Sequence, residues 1–514
     1  MMPRSLLIIL SASTVLAGCA VGPDYRPKTA DQLGVPGTYS VPADSAQRED
    51  LTQWWTRFDD PLLQRLVASA ATTNLDVAQA VTRLRQARES LVQARADLLP
   101  SVSGSGNYSR NINIRGGTST ITLPDGTVTN ISRNSNDSFS LGADASYQVD
   151  LFGGVRRGIE SSRAQYQATG YDYASVLIST QAEIARNYML ARQAQANLAN
   201  ARASLAIQDD NLQIARWRVQ AGLVSSLDQE QARSQRAQTA ASIPPIEQSY
   251  NSAVSRLAVL TGQAPGALKS EMEAARPIPE GPKTVGVGIP AETLRQRPDV
   301  LAAERNLAAA TAQIGVAKAQ LYPALRLTGS IDTNANTIGT IGDIITGSVF
   351  AGLTQLIFDG GRVRSQVRSS EAAADGALFA YKGTVLTALE DVENAIVALK
   401  AAETREREFA VALDAANTTA ILSRSQYQAG LTDFTTLNQA EASLLSARNG
   451  LTQAQSDRAT ALVQLYVALG GGWDSAAVPE APPAGARQGA ISQGTAPQGV
   501  VSEAALPSPP LQDR

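Results

Sequence analysis

One unit is written twice along this chain of 514 residues, and the repeat constrains the fold more than any other feature. Ala94-Arg95-Ala96-Asp97-Leu98-Leu99-Pro100 returns as Ala317-Lys318-Ala319-Gln320-Leu321-Tyr322-Pro323, an offset of 223. At the same offset Asp76, Val77, Ala80, Leu84 and Ala87 meet Asp299, Val300, Ala303, Leu307 and Ala310. Further on the offset shrinks: Gly153-Gly154 meets Gly360-Gly361 at 207, and Gln220-Ala221-Gly222-Leu223 meets Gln428-Ala429-Gly430-Leu431 at 208. The length difference is therefore confined to 100–153 in one copy and 323–360 in the other. Segments of fixed length joined by one tolerant loop imply rigid rods.

Each copy opens with an Ala-rich amphipathic helix, over 75–98 and 298–321, stopped by Pro100 and Pro323 because proline disfavours helical geometry in the residue before it. Period-two alternation follows. From Ser101 to Asn113 the odd positions are all Ser or Asn, while Val102, Tyr108 and Ile112 take even ones. From Ser138 to Phe152 the odd positions read Phe139, Leu141, Ala143, Ala145, Tyr147, Val149 and Leu151 against Ser138, Ser140, Asp144, Ser146 and Gln148. That pattern predicts strands with one apolar and one polar face, joined by a loop over 113–137. The second copy alternates at Leu325, Leu327 and Ile331, then more weakly over 348–358, which makes four strands. Gly153-Gly154 and Gly360-Gly361 turn strand into helix. Residues 155–221 then form a helix of about 100 Å at 1.5 Å per residue, and 362–429 match it. Leu177, Ile184, Ala191, Leu198, Leu205, Leu212 and Val219 recur every seven residues, with Ala194, Ala201 and Ala215 beside them, a coiled-coil seam. Gly222 and Gly430 end the long helices, Ser225 and Thr432 cap the returning ones, and Pro244-Pro245 interrupts the first return.

The fold class expected is mainly α, with long antiparallel coiled-coil helices plus four amphipathic strands per chain. The organisation reads as a signal peptide at 1–18 and an irregular N-terminal segment at 19–60. The first repeat spans 61–262, with its hairpin at 101–152, and a linker covers 263–292. The second repeat spans 293–472, with its hairpin at 324–358. The tail at 473–514, rich in Pro, Ala, Gly, Ser and Gln, reads as disordered. Composition narrows the chemistry. Lys plus Arg is 44 and Asp plus Glu is 47, which argues against a nucleic-acid partner. Histidine is absent and Cys19 is the only cysteine, so the commonest general base and any multi-cysteine metal site are missing, and no enzyme is expected. The start carries an address: Arg4, then a mostly apolar stretch from Ser5 to Leu16, then Leu16-Ala17-Gly18-Cys19. This resembles a bacterial lipobox, which predicts a covalent lipid on Cys19 and no other cofactor. Ala20 in place of aspartate implies outer-membrane sorting. No later window reaches the ~18 apolar residues that a membrane helix needs, so any crossing uses strands. Four strands cannot close a barrel, and in lipid only a closed barrel satisfies the backbone, so several chains must pool theirs.

The sequence resembles the TolC-like outer membrane efflux family in its NodT-type lipoprotein branch. The resemblance is carried by Cys19-Ala-Val-Gly-Pro-Asp-Tyr25, Arg297-Pro298-Asp299-Val300, Ile314-Gly315-Val316-Ala317-Lys318-Ala319, Leu327-Thr328-Gly329-Ser330, Ile357-Phe358-Asp359-Gly360-Gly361-Arg362 and Ala221-Gly222-Leu223-Val224, in that family's spacing. It covers about Cys19 to Gly472. It implies a homotrimer whose twelve strands form a barrel in outer-membrane lipid above a twelve-helix periplasmic tunnel. Its implied partners are a periplasmic adaptor and an inner-membrane pump of RND type, for which this chain is the passive exit duct.

By the same resemblance the gate lies at the helix tips, near Gly222 and Gly430, where a carboxylate and a tyrosine restrain the closed entrance. Asp228 and Tyr427 occupy the matching positions. Asp228 equally suits a first-turn charge favoured by the helix dipole, and Tyr427 equally suits coiled-coil packing. Thr436 and Gln439 stand where the family often carries aspartates, which puts a carboxylate ring in doubt; Asp433 is the substitute. The pairs Asp209-Asp210 and Glu390-Asp391 read as solvated helix faces. The rival reading is a non-conducting coiled-coil envelope lipoprotein, which leaves the Ser/Asn stripe opposite the apolar strand positions without a purpose.

Overall fold

The computed structural model describes residues 20–474 apart from 42–49, 113, 115–117, 133–134 and 283. The signal peptide, Cys19 and most of the tail therefore lie outside the described residues. After a single helical turn at Ala30–Leu33, two longer helices precede the first hairpin: α1 (Pro61–Thr73) and α2 (Leu75–Ala96). Asp60 caps α1 through the Leu62 and Leu63 amides, and Asn74 caps α2 through those of Asp76 and Val77. Strands β1 (Ser101–Ile112), β2 (Thr118–Thr122), β3 (Val128–Ser132) and β4 (Ser135–Val149) follow. Next come α3 (Gly154–Gln220) and α4 (Ser226–Leu260). The second copy runs α5 (Pro298–Ala319), β5 (Ala324–Ala335), β6 (Ile345–Thr354), α6 (Arg362–Gln428) and α7 (Phe434–Ala468). Counterparts match in length: 22 residues for α2 and α5, 67 for α3 and α6, 35 for α4 and α7.

The four long strands form one antiparallel sheet in the order β1-β4-β5-β6, with β1 and β6 at its edges. Its register sorts the side chains by face. Ser103 pairs with Asp144, Asp144 with Ser330 and Ser330 with Ser348, so one polar row crosses all four strands. The Ser330 and Ser348 hydroxyls meet at 2.8 Å. One residue along, Val102, Ala145, Gly329 and Val349 make an apolar row on the other face. Side chains on this apolar face are exposed: Val349 by 93%, Val102 by 73% and Leu353 by 67%. No helix among the described residues is long and apolar enough to cross a membrane.

Four expectations change. The loop over 113–137 contains a hairpin, β2 paired with β3, turning at Gly126 with φ +87°. β6 starts and ends earlier than 348–358, and Phe350 lies on the polar face opposite Thr328, which is why its alternation reads weakly. Pro244 and Pro245 do not interrupt α4, which is continuous across them. Each removes one backbone donor, but α4 packs along α3 and that packing holds the helical path. Finally, the α3 seam is mixed in its lower half, where Ala201, Leu212 and Ala215 are buried as expected but polar residues are buried beside them. Ile184 and Ala191 are fully buried, whereas farther down Ser204, Gln208 and Asn211 are also buried and Leu198 and Leu205 are half-buried.

The main core lies midway along the rods. Trp54 stacks on Tyr466 at 5.7 Å, and Leu63, Val67, Ile184, Tyr188, Val254, Leu257 and Leu462 close around them. Tyr188 donates to Asp60 at 2.6 Å, and Arg192 donates to the Tyr188 hydroxyl at 3.0 Å. Asp60 thus ties α1 to α3 as well as capping α1. Neither α1 nor the short 3₁₀ turn Trp54–Phe58 was anticipated from sequence.

Candidate functional site: the helix tips

Both long helices end in the same way. Gly222 and Gly430 adopt φ +69° and +74°, a conformation costly for any residue with a side chain. The Leu223 amide donates to the Arg218 carbonyl and the Gly222 amide to that of Val219. The Leu431 and Gly430 amides repeat this pattern on Gln426 and Tyr427, the paired bonds of a Schellman ending. Ser225 caps α4 through the Leu227 amide. Thr432 does not cap α7; Asp433 does, accepting from the Thr436 amide at 2.7 Å. Aspartate is the stronger cap because its charge favours the helix N-terminus. Those hydrogen bonds hold its pKa below the usual carboxylate value.

The tips share a small core of Leu212 and Ala215 from α3, Ala232 from α4, Tyr427 from α6 and Phe434 and Leu437 from α7. Tyr427 is 1% exposed, and its ring meets Phe434 edge-on at 5.9 Å. Its hydroxyl has no hydrogen-bond partner, so Asp228, half-buried at the start of α4, does not hold it. Burial raises the Tyr427 pKa; the Arg218 charge opposes that shift and the Asp228 charge adds to it. Thr436 and Gln439 are exposed and line a groove of about 370 Å³ between α6 and α7 with Thr419, Ser423 and Ser443, all uncharged. The structure thus leaves the Asp228 charge near Tyr427 without a bond between them, while Asp433 is exposed at its cap and Thr436 and Gln439 sit along the groove.

Sequence reasoning missed two residues that bind this tip together. Arg218 donates to the Tyr427 carbonyl at 2.8 Å and stacks its guanidinium over the Tyr427 ring at 4.7 Å, tying α3 to α6. Its position, a base in the last turn before a terminating glycine, was the available signal. Arg424 grips the buried Glu441 through two nitrogens, one at 2.9 Å, tying α6 to α7. Among the described residues no acidic cluster could hold a metal ion.

The profile of the family described as Outer membrane efflux protein matches residues 66–263 and 289–471. This chain belongs to that family. Similar proteins include Nodulation protein T of Rhizobium leguminosarum bv. trifolii, 32% identical over 474 residues, covering 90% of this chain and 97% of that one. The pyoverdine export outer membrane protein OpmQ of Pseudomonas aeruginosa is 32% identical over 473 residues, covering 91% and 97%. Among solved structures, the outer-membrane channel OprN superposes with a TM-score of 0.78 at 33% identity, over 88% of this chain and all of that one. The open state of the Neisseria gonorrhoeae MtrE outer membrane channel gives 0.76 at 26% identity, over 88% and 99%. The resemblance read from sequence is thereby borne out, as are the outer-membrane location of the strands, the periplasmic placing of the helical rods and the role in efflux.

Proposed function

We propose that three copies of this chain assemble into a passive exit duct, with no chemistry of its own. Twelve pooled strands form the barrel, and α3, α4, α6 and α7 of each copy form the tunnel below it. The observation that carries this reading is the four-stranded sheet with one polar and one exposed apolar face and an unpaired strand at each edge. Such a sheet is stable in lipid only when its edges pair with further copies. The helices support the same closure. α5 packs extensively on both long helices, whereas its counterpart α2 packs so only on α3. That leaves Phe379, Leu386 and Val397 of α6 more than half exposed, where the α2 of a neighbouring copy would fit.

The tunnel entrance lies at the tips, where Arg218, Tyr427 and the Arg424–Glu441 pair tie the ends of α3, α6 and α7 together. A periplasmic adaptor would engage these tips and an inner-membrane pump of RND type would supply the energy. Cys19 would carry the lipid that anchors the mature N-terminus in the outer membrane, and internal duplication would account for the equal lengths of the paired elements. OpmQ is named for pyoverdine export; a duct of this kind passes what its pump delivers. Oligomeric mass in detergent, with planar-bilayer conductance of the same sample, tests the proposal. A trimer whose small current grows when 221–225 and 429–433 are replaced by short linkers is expected. A monomer that stays silent with the tips replaced overturns it.

A further inference from the structure

The segment that follows Cys19 is held against the strand-to-helix junction by contacts too close for chance. The Val21 amide donates to the Phe152 carbonyl at 3.0 Å. Gly22, at φ +103°, faces Gly315 of α5 so closely that a Cβ on Gly22 would lie 2.5 Å from the Gly315 Cα. A Cβ on Gly315 would lie 2.7 Å from Arg157 Cγ and 2.9 Å from the Val21 carbonyl oxygen. One on Gly153 would fall 2.6 Å from the Ala20 Cα. Three glycines thus clear a channel of backbone width.

Arg157, in the first turn of α3, closes the channel. Its side chain is only 7% exposed. It donates to the Val21 carbonyl at 3.3 Å, the Gly22 carbonyl at 3.4 Å, Asp24 at 2.6 Å and Glu160 at 2.7 Å. A buried guanidinium needs its donors satisfied, and here the N-terminal segment supplies three of the four acceptors. Beyond it the segment stays on the second repeat. Tyr25 donates to Glu304 at 3.1 Å, Leu33 and Val35 pack with Leu294, Leu307 and Tyr381, and Ser40 bonds Glu393 at 2.6 Å. β4 ends at Val149, three residues before Phe152, so the hold on Val21 lies at the level where the strands end.

We propose that Arg157, with Gly22, Gly153 and Gly315, is a depth gauge. It fixes the chain next to Cys19 at the base of the strands, so that the lipid anchor and the sheet enter the same leaflet. Arg157 is a positioning residue that acts on the anchor through the backbone of Val21 and Gly22. The inference rests on acylation of Cys19, and the test separates the two. The mass of the N-terminal tryptic peptide of the full-length protein, purified from outer membranes, reads acylation directly. Hydrogen exchange of the Val21 amide in a Cys19→Ser background reads the seat without any lipid. It is expected to be protected there, and to exchange more than tenfold faster when Arg157→Ala is added, with α7 amides unchanged. With Cys19 intact, Arg157→Ala is expected to be acylated normally but to lower the fraction of membrane protein recovered as trimer several-fold. Asp24→Asn, which leaves the buried guanidinium in place, should lower it less. An unprotected Val21 amide, or a trimer fraction unmoved by Arg157→Ala, overturns the gauge. An unmodified peptide overturns the acylation reading while Val21 still reports on the seat.

Discussion

The two long helices, α3 and α6, are equal in length and alike in their endings, yet α3 buries 26 residues and α6 only 13. Between Ala402 and Ala420 no residue of α6 is buried. Local sequence sets what they share: a double glycine starts each rod, and a left-handed glycine ends it. Neighbours set what differs. α3 is packed by α1, α2, α4, α5 and α7, while α6 has α5 and α7 as its main neighbours. A helix with one apolar flank in water is an unfinished interface, so under the proposed trimer this flank is where a second copy would sit. The largest expected effect tests this. Leu386→Asp with Phe379→Asp should abolish the trimer in detergent, because an unpaired buried carboxylate costs several kcal/mol. Trimers that persist with an unchanged melting temperature would mean that this flank faces water and that the asymmetry has another origin.

The second test concerns the hydrogen bond that ties the tips of the two rods, Arg218 to the Tyr427 carbonyl. Arg218 on α3 corresponds to Gln426 on α6, so the clamp exists in one copy only. Arg218→Ala should cost about 1–3 kcal/mol locally, from the lost charged hydrogen bond and the ring contact, and should raise single-channel conductance several-fold. Tyr427→Phe should do little, because its hydroxyl has no partner. If Tyr427→Phe opens the channel and Arg218→Ala does not, the restraint lies with the hydroxyl and Asp228 after all.

The return helices make a third contrast. α4 carries Pro244 and Pro245 where α7 carries Thr452 and Gln453, and both run for 35 residues. Proline inside a helix costs about 3 kcal/mol, so the double change to alanine should raise the thermal midpoint. A fall would show instead that α4 needs the prolines themselves at this height, beside the groove lined by Asn187, Gln193, Asn197 and Ile246.

What the sequence disclosed follows the range of the forces involved. Rod lengths were legible because glycine conformation and proline placement are local, and strand faces because period two needs no partner. Three features were not. The polar residues of the lower α3 seam were hidden because the burial of Ser204, Gln208 and Asn211 depends on helices distant in sequence. Helix α4 looked broken because a local rule at Pro244 was overridden by packing. The tip clamp escaped notice because Arg218 and Tyr427 lie 209 residues apart and meet only where the far ends of two rods about 100 Å long come together.

The smallest effect separates the two caps. Ser225 on α4 carries no charge, whereas hydrogen bonds from the Thr436 amide and hydroxyl hold the Asp433 carboxyl on α7 below the usual aspartate range. A carboxylate with a lowered folded-state pKa contributes its stabilisation fully above the unfolded value and loses it as pH falls through the folded one. Acidification from pH 7 to below this range should therefore loosen the first turn of α7 and leave that of α4 in place. Protection factors for the Thr436 and Leu227 amides, corrected for intrinsic exchange, read the two caps side by side. The Thr436 value should fall several-fold while that of Leu227 holds, and Asp433→Ser should remove the difference. If both fall together, the tips open as one unit on acidification, and the contrast between the repeats does not extend to their caps.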